Sequence, residues 1–431
     1  MSGSAWTGVA VAAVTAGYAL FSRRLATTAV SGPMVFTGFG VAIGPIGLDL
    51  LDLEHDAGPV LSLVEVALAL VLLTDAMSVR RGDLRVGGFL PGRLLGIGLP
   101  LTIGAGWLLA WPLLPGLTVW ELALVGAILA PTDAALGKIA VSSPRVPSLV
   151  RSGLNVESGL NDGMTLPFFV LFLAALPGTM ASEEGVAGVF WRALVLSSAL
   201  GLAVGWGGGW LLRWSSERGW VSGVWRQVFV LAVAAGSYTL AVVVDGSGFI
   251  AAWVAGFAFG VSLRRSATAD APAAEEDTAD LAERLGELLA ALSFLVFGAV
   301  LLGPALELLD WRILTYAVLS LTVVRMLPVA LSLAGSGLAL PTVAFIGWFG
   351  PRGLASVVFG LLVVEEHVPG VQLLGRVVAV TVALSILVHG MSAVVLAQRY
   401  GDWHEKAAAR RPNLREGVPQ EGDPGHSSTA R

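Results

Sequence analysis

Apolar residues run along this chain in long unbroken stretches. They follow neither the three-and-four spacing of a surface helix nor the alternation of a half-buried strand. Thirteen such stretches, bounded by charges, prolines or glycines, lie near 4–21, 29–48, 59–78, 94–114, 118–141, 148–176, 188–212, 226–244, 247–263, 285–303, 312–334, 341–364 and 373–397. Most approach the roughly 20 residues that a helix needs to cross a hydrocarbon core of about 30 Å. The pattern predicts an all-α polytopic membrane protein with thirteen transmembrane helices. Only Asp245 and Gly246 divide the eighth stretch from the ninth, so merging those two is the main alternative count. The Ala/Asp/Glu-rich segment over 264–284 reads as a flexible inner loop or an amphipathic segment. The polar end, 398–431, reads as a short disordered cytoplasmic tail.

Composition supports the same class. Of 431 residues, 13% are charged and 55% are hydrophobic, whereas a soluble domain carries about 25% charged residues. A soluble enzyme with one buried core is excluded. A net charge of −5 with no dense basic patch argues against nucleic-acid binding. The absence of cysteine excludes disulfides, thiolate catalysis and thiolate-held metals. No nucleotide-binding motif is present, so neither a primary pump nor an enzyme is expected, and no cofactor. The first apolar stretch lacks a basic leader and a convincing cleavage site, so it reads as a span and not a signal peptide. Only Lys138 and Lys406 among the 26 basic residues are lysine. With the surplus of Ala, Gly and Val, this suggests a high-GC prokaryotic source and hence a prokaryotic plasma (inner) membrane.

Basic residues orient the spans. With the N-terminus outside and the C-terminus cytoplasmic, 21 of the 26 fall on the inner side, including Arg80, Arg81, Arg85 and Lys138. This agrees with the positive-inside rule. Merging spans eight and nine would move Arg264 and Arg265 outside. Glu183, Glu184, Glu307 and Asp310 fall in short outer loops.

Five charges fall near mid-depth within spans: Asp133, Glu157, Asp162, Arg325 and Arg352. Each costs at least about 2.5–3.5 kcal/mol to insert, so each is expected to face a partner or a water-filled cavity. With a 1.5 Å rise per residue, Asp133, Asp162 and Arg352 lie near mid-membrane. Glu157 and Arg325 both lie roughly 10 Å from the inner edge, which suggests that they pair and join span six to span eleven. Span five is broken at Ala130-Pro131-Thr132-Asp133, because Pro131 removes a helical hydrogen bond. Span twelve is broken at Gly347-Trp348-Phe349-Gly350-Pro351-Arg352-Gly353. Seven spans separate the breaks. An odd offset relates oppositely oriented elements, as an inverted repeat of spans 1–6 and 8–13 requires. Interrupted segments at corresponding places mark a transporter's binding site. Within span six, Ser158 and Asp162 share one face, and Glu157 and Asn161 share the adjacent one. A carboxylate beside a hydroxyl suits a small hard cation.

These residues resemble the NhaP/NHE-type sodium:proton antiporters. That family has a "TDP"-like break in span five, matched by Thr132-Asp133 with Ala134 in place of the proline. It has an "ES-x-x-ND" motif in span six, matched by Glu157-Ser158-Gly159-Leu160-Asn161-Asp162. Its span-eleven arginine is matched by Arg325 and its span-twelve "G-x-R-G" by Gly350-Pro351-Arg352-Gly353. The resemblance covers most of the chain and implies an NhaA-like antiporter fold with two broken crossing helices. A core bundle (about 94–176 and 312–397) would move against a dimerisation and scaffold bundle (about 1–78 and 188–303). The resemblance further implies Asp162 as the shared ion and proton carboxylate, with Thr132 and Ser158 adding oxygens to a bound Na+. Glu157 would pair with Arg325, and Asp133 and Arg352 would balance the half-helix ends. Related electrogenic antiporters carry a second aspartate at the position of Asn161, so electroneutral exchange is implied. Partners are Na+ (or Li+ or K+), H+, the lipid bilayer and a second copy in a homodimer. A K+:H+ exchanger, a channel, a non-transporting receptor and an organic-anion symporter are the rival readings. His389, Glu65 and Arg352 read as structural. Asp75 reads as meeting Arg80 or solvent, and the Gly201, Gly205 and Gly209 ladder as helix packing or a dimer contact.

Overall fold

A computed structural model describes residues 2–25, 28–50, 53–79, 89–133, 143–176, 185–266, 271–365, 370–410 and 414–417. Arg80, Arg81, Arg85, Ala134, Lys138, Glu183 and Glu184 lie outside the described residues, as does 418–431. Among the described residues the regular elements are helical. They are α1 (Ser2–Leu25), α2 (Gly32–Ile43), α3 (Leu53–Ser78), α4 (Phe89–Leu113) and α5 (Val119–Ile128). Next come α6 (Ser148–Ala174), α7 (Val186–Glu217), α8 (Gly223–Val243) and α9 (Gly248–Leu263). Helix α10 starts at Ala271 and runs to Glu307, and α11 spans Trp311–Ser332 with a kink at Thr322. The interrupted α12 has two halves, Leu340–Trp348 and Leu354–Glu365, and α13 spans Val371–Arg410.

Seven stretches among the described residues are long and apolar enough to cross a membrane, and four more apolar helices are shorter. The chain is therefore an all-helical, multi-pass membrane protein. Helix α5 starts on a reciprocal cap, in which Thr118 accepts from the Glu121 amide and Glu121 accepts from the Thr118 amide. A turn at Asp245, with φ 55°, separates α8 from α9. Ser247 then caps α9 by accepting from the Ile250 amide.

Of the two readings of 264–284, a flexible inner loop or an amphipathic segment, the structure has a helical segment from Ala271, where the helix leading into span ten begins. Alanine, glutamate and arginine are strong helix formers, and an adjacent span supplies the nucleus that an isolated segment lacks. The tail is not disordered from residue 398. Helix α13 continues to Arg410, and Arg415–Gly417 forms a further helical turn.

The helices pack in two groups. In one, α3 and α7 pack on α9, α3 packs on α10, and α10 packs on α2. The Gly201, Gly205 and Gly209 ladder is spent inside this group. A β-carbon at Gly205 would strike the Ala255 backbone, and one at Gly209 would come within 2.8 Å of Ser262 Cβ. Small residues there let two helices approach backbone to backbone. In the other group, α4 and α6 flank α5, while α13 packs on α11 and on the second half of α12. Helix α6 touches α3 and α9, and so borders both groups.

Candidate functional site

The site forms where the breaks in α5 and α12 cross beside α6. Helix α5 ends at Ile128, and Pro131–Asp133 continues as non-helical backbone. Residues 349–353 interrupt α12 in the same way. The two breaks are bonded to each other. The Asp133 amide donates to the Pro351 carbonyl at 2.8 Å, and the Asp133 carboxylate accepts from the Leu354 amide at 3.2 Å. Leu354 opens the second half of α12, so Asp133 places a negative charge at a positive half-helix end. Arg352 does the reverse. Its guanidinium donates to the Ala130 carbonyl at 2.8 Å and the Pro131 carbonyl at 3.3 Å, just past the negative end of α5. Arg352 is fully buried, at 0% exposure. Ser385 of α13 accepts from its amide at 2.7 Å.

The two glycines around Pro351 and Arg352 make room for charge. A β-carbon on Gly353 would occupy the place of the Asp133 side chain. One on Gly350 would collide with the Arg325 guanidinium. Any larger residue at these positions would have to displace an ion-pairing group.

Helix α6 supplies the rest. Arg325, on α11 just past the kink at Thr322, donates to both Glu157 oxygens at 2.9 and 3.1 Å. Both residues are buried, and this bidentate geometry is the strong form of such a pair. Thr132 is held from three sides. Its carbonyl accepts from Ser158 Oγ at 2.7 Å and from Asn161 Nδ2 at 3.1 Å. Its hydroxyl accepts from Asn161 Nδ2 at 2.6 Å and faces Glu157 at 3.4 Å. Asn161 therefore ties the α5 break to α6 through donors, a task that an aspartate could not perform.

Asp162 differs from all of these. Among the described residues its carboxylate accepts no hydrogen bond, and it keeps 8% exposure. It lies within electrostatic reach of Asp133, Asp75 and Glu157. Asp75 is of intermediate exposure, and its expected partner Arg80 lies outside the described residues. Asp75 faces Gly159 of α6 across a close helix contact and interacts with Asp133. The available signal was a carboxylate in the apolar run of α3 with no basic residue three or four positions away. Gly163, one turn beyond Gly159, lies against the Trp253 ring of α9. The small face of α6 thus borders α3 and α9, and Asp162 sits next to it.

His389 packs behind the α12 break. Its Nδ1 lies 3.1 Å from Ser385 Oγ, and its ring is 5.2 Å from that of Trp348. Glu65 is half-buried on α3. Among the described residues no three histidines or carboxylates converge as a chelating cage. Among the described residues the Asp162 carboxylate accepts no hydrogen bond, and the neutral oxygens of Ser158 and Thr132 belong to the same helix crossing.

A family model described as sodium/hydrogen exchanger, transmembrane, matches residues 10–399. The K(+)/H(+) antiporter NhaP2 of Shewanella sp. (strain MR-4) is 27% identical over 411 residues, covering 91% of this chain and 66% of the relative. The Na(+)/H(+) antiporter 2 of Zygosaccharomyces rouxii is 26% identical over 343 residues, covering 69% of this chain and 41% of the relative. The chain thus spans about two thirds of the bacterial relative's length and less of the yeast one's. Its fold resembles that of the sodium proton antiporter MjNhaP1 from Methanocaldococcus jannaschii, with a TM-score of 0.73 and 19% identity, covering 93% of this chain and 99% of that one. The family model spans nearly the whole membrane region, and the chain belongs to the transmembrane sodium/hydrogen exchanger family.

Proposed function

We propose that the chain is a secondary active antiporter exchanging Na+ (or Li+) for H+, one for one, across a prokaryotic plasma membrane. The observation that carries this reading is Asp162: a buried carboxylate that accepts no hydrogen bond among the described residues, beside a crossing where Asp133, Glu157, Arg325 and Arg352 are all engaged. Ser158 and Thr132 bring oxygens beside it, and Asp75 adds a second carboxylate from α3. A proton or a cation neutralises Asp162, and the two compete for it.

The hydrogen bonds indicate how the exchange of occupants proceeds. Two donors occupy the Thr132 carbonyl, so that oxygen serves a cation only when the Ser158 hydroxyl turns away. The serine oxygen keeps lone pairs for the ion throughout. Loading a cation therefore involves one hydroxyl rotation and loss of one proton, with the backbone of the crossing unchanged. Access alternates when the body holding α4–α6 and α11–α13 moves, elevator fashion, against the remaining helices. The N-terminus lies outside, the C-terminus lies in the cytoplasm, and the assembly is a homodimer.

A K+:H+ reading is supported by the names of the Shewanella relatives, since the same oxygens serve a larger ion in a looser cavity. Both readings meet one experiment. Proteoliposomes holding an imposed ΔpH are challenged with Na+, Li+ or K+, and an internal dye follows the gradient. Dissipation on adding one of these cations is expected, and the cation that works assigns the selectivity. If none collapses the gradient, the antiporter reading is wrong.

A further inference from the structure

The turn Arg415–Gly417 lies beyond the last span, yet Glu416 within it is 1% exposed. A buried carboxylate at the end of a membrane protein calls for an explanation, since its charge is costly unless it is bonded. Its partners are specific. Glu416 accepts from Thr342 Oγ1 at 2.7 Å and from the Ala339 amide at 3.4 Å. Ala339 precedes the first half of α12 and has no side chain to cap it. Glu416 thus fills the N-cap role from 77 residues away, with its charge at the positive end of the half-helix. Arg415 beside it donates to the Ser336 carbonyl and lies 4.2 Å above the Phe89 ring. From the other side, Arg93 of α4 holds the same α11–α12 turn, donating to the Ala334 carbonyl at 2.9 Å.

The contact extends toward the break. Thr342 accepts from the Tyr400 hydroxyl at 3.0 Å. The Tyr400 ring stacks on Phe345 at 4.2 Å, and Phe345 packs on Phe349 at 4.5 Å. Phe349 is the first residue of the interruption that carries Arg352. An uninterrupted helix would be fixed along its whole length. A nine-residue half-helix packs over only about two and a half turns, and its N-cap, Ala339, provides no side-chain hydrogen bond. The segment also packs on α6. All of these partners belong to the group proposed above to move as one body.

We infer that Glu416 is a positioning residue for transport. It clamps the cytoplasmic end of the first half of α12 and so fixes the α12 break, with Arg352, against α5. This rests on the antiporter reading, and its test separates the two. The full chain carrying Glu416→Ala is assayed for ΔpH dissipation over a range of cation concentrations. The maximal rate is expected to fall about three- to tenfold, with the apparent KM for the cation within about twofold of wild type. Glu416→Gln, which keeps both accepted hydrogen bonds, is expected to restore at least about half of the rate. Thr342→Val removes the same link from the other side and is expected to match Glu416→Ala, which covers the case in which that variant folds poorly. Amide hydrogen exchange provides a readout independent of transport. Exchange over 340–353 is expected to rise about tenfold in Glu416→Ala while the other spans keep wild-type protection. A wild-type rate in Glu416→Ala, or amide protection that is unchanged or lost uniformly, would overturn the inference. Should the wild-type chain move no cation, amide exchange alone decides the clamp by the same criteria.

Discussion

Glu157 and Asp162 are five residues apart on one helix, both buried and both acidic, yet they are opposites. Glu157 is 3% exposed and engaged by Arg325 through two hydrogen bonds. Asp162, at 8%, has no such bond among the described residues. Five residues along an α-helix turn a side chain by about 140°. One carboxylate therefore meets Arg325 of α11, and the other lies within electrostatic reach of Asp133 and Asp75. Burial of a charge costs the same desolvation in either direction. Pairing with Arg325 is the ground for proposing Glu157 as scaffold, and the absence of a hydrogen bond among the described residues is the ground for proposing Asp162 as the ion site.

The comparison breaks most sharply at Asp162. Asp162→Asn removes the carboxylate of the pair that accepts no hydrogen bond among the described residues, and exchange in proteoliposomes is expected to drop at least about hundredfold, to background. Wild-type rates in that variant would end its assignment. Glu157 breaks in another way. Glu157→Gln or Arg325→Ala leaves an uncompensated partner, which costs about 3–5 kcal/mol in a buried pair. Each change is expected to lower the folded yield and the thermal midpoint. The double change should lose less than the sum, and strict additivity would mean that the two do not support each other.

Smaller effects sharpen the contrast. Lowering the pH should raise the apparent KM for the cation, because proton and cation compete for one group. In the acidic limit the rise should reach about tenfold per pH unit, as expected for one titrating site. An apparent KM flat with pH would sink the competition. Ser158→Ala removes a neutral oxygen but no charge. It should raise the apparent KM about five- to tenfold, an amount comparable with one typical hydrogen bond of about 1 kcal/mol. Asp75→Asn should have the smallest effect, a rise of about two- to fivefold, because Asp75 acts from across a helix interface. An effect as large as that of Asp162→Asn would make Asp75 the principal site.

Much of this geometry is legible in the sequence, and the reason is scarcity. With few charges in the spans, depth arithmetic alone places Glu157 level with Arg325, and the two meet at 2.9 Å. Pro131 and the Gly350–Gly353 run announce their breaks through lost hydrogen bonds and loose backbone. Rotational position around a helix is much harder to read. Asp75 lies with its Cβ and carbonyl against Gly159 of α6, and nothing in α3 alone specifies which helix packs against that face. The glycine ladder of α7 reads first as helix packing and second as a dimer contact, and Ala255 and Ser262 lie against it. Glu416 is the extreme case. Its neighbours in sequence are polar, and its partners lie 74 and 77 residues away.

The charges at the crossing have a further consequence. Asp133, Glu157, Arg325 and Arg352 sum to zero formal charge, and each faces a partner or a helix end of opposite sign. An uncompensated elementary charge carried through the membrane field would do electrical work of about 2.3 kcal/mol per 100 mV. A body with balanced fixed charges and one neutralised carboxylate does none. Its turnover would then be set by the chemical gradients of its two ions and would be indifferent to whether the cell's membrane is energised or depolarised.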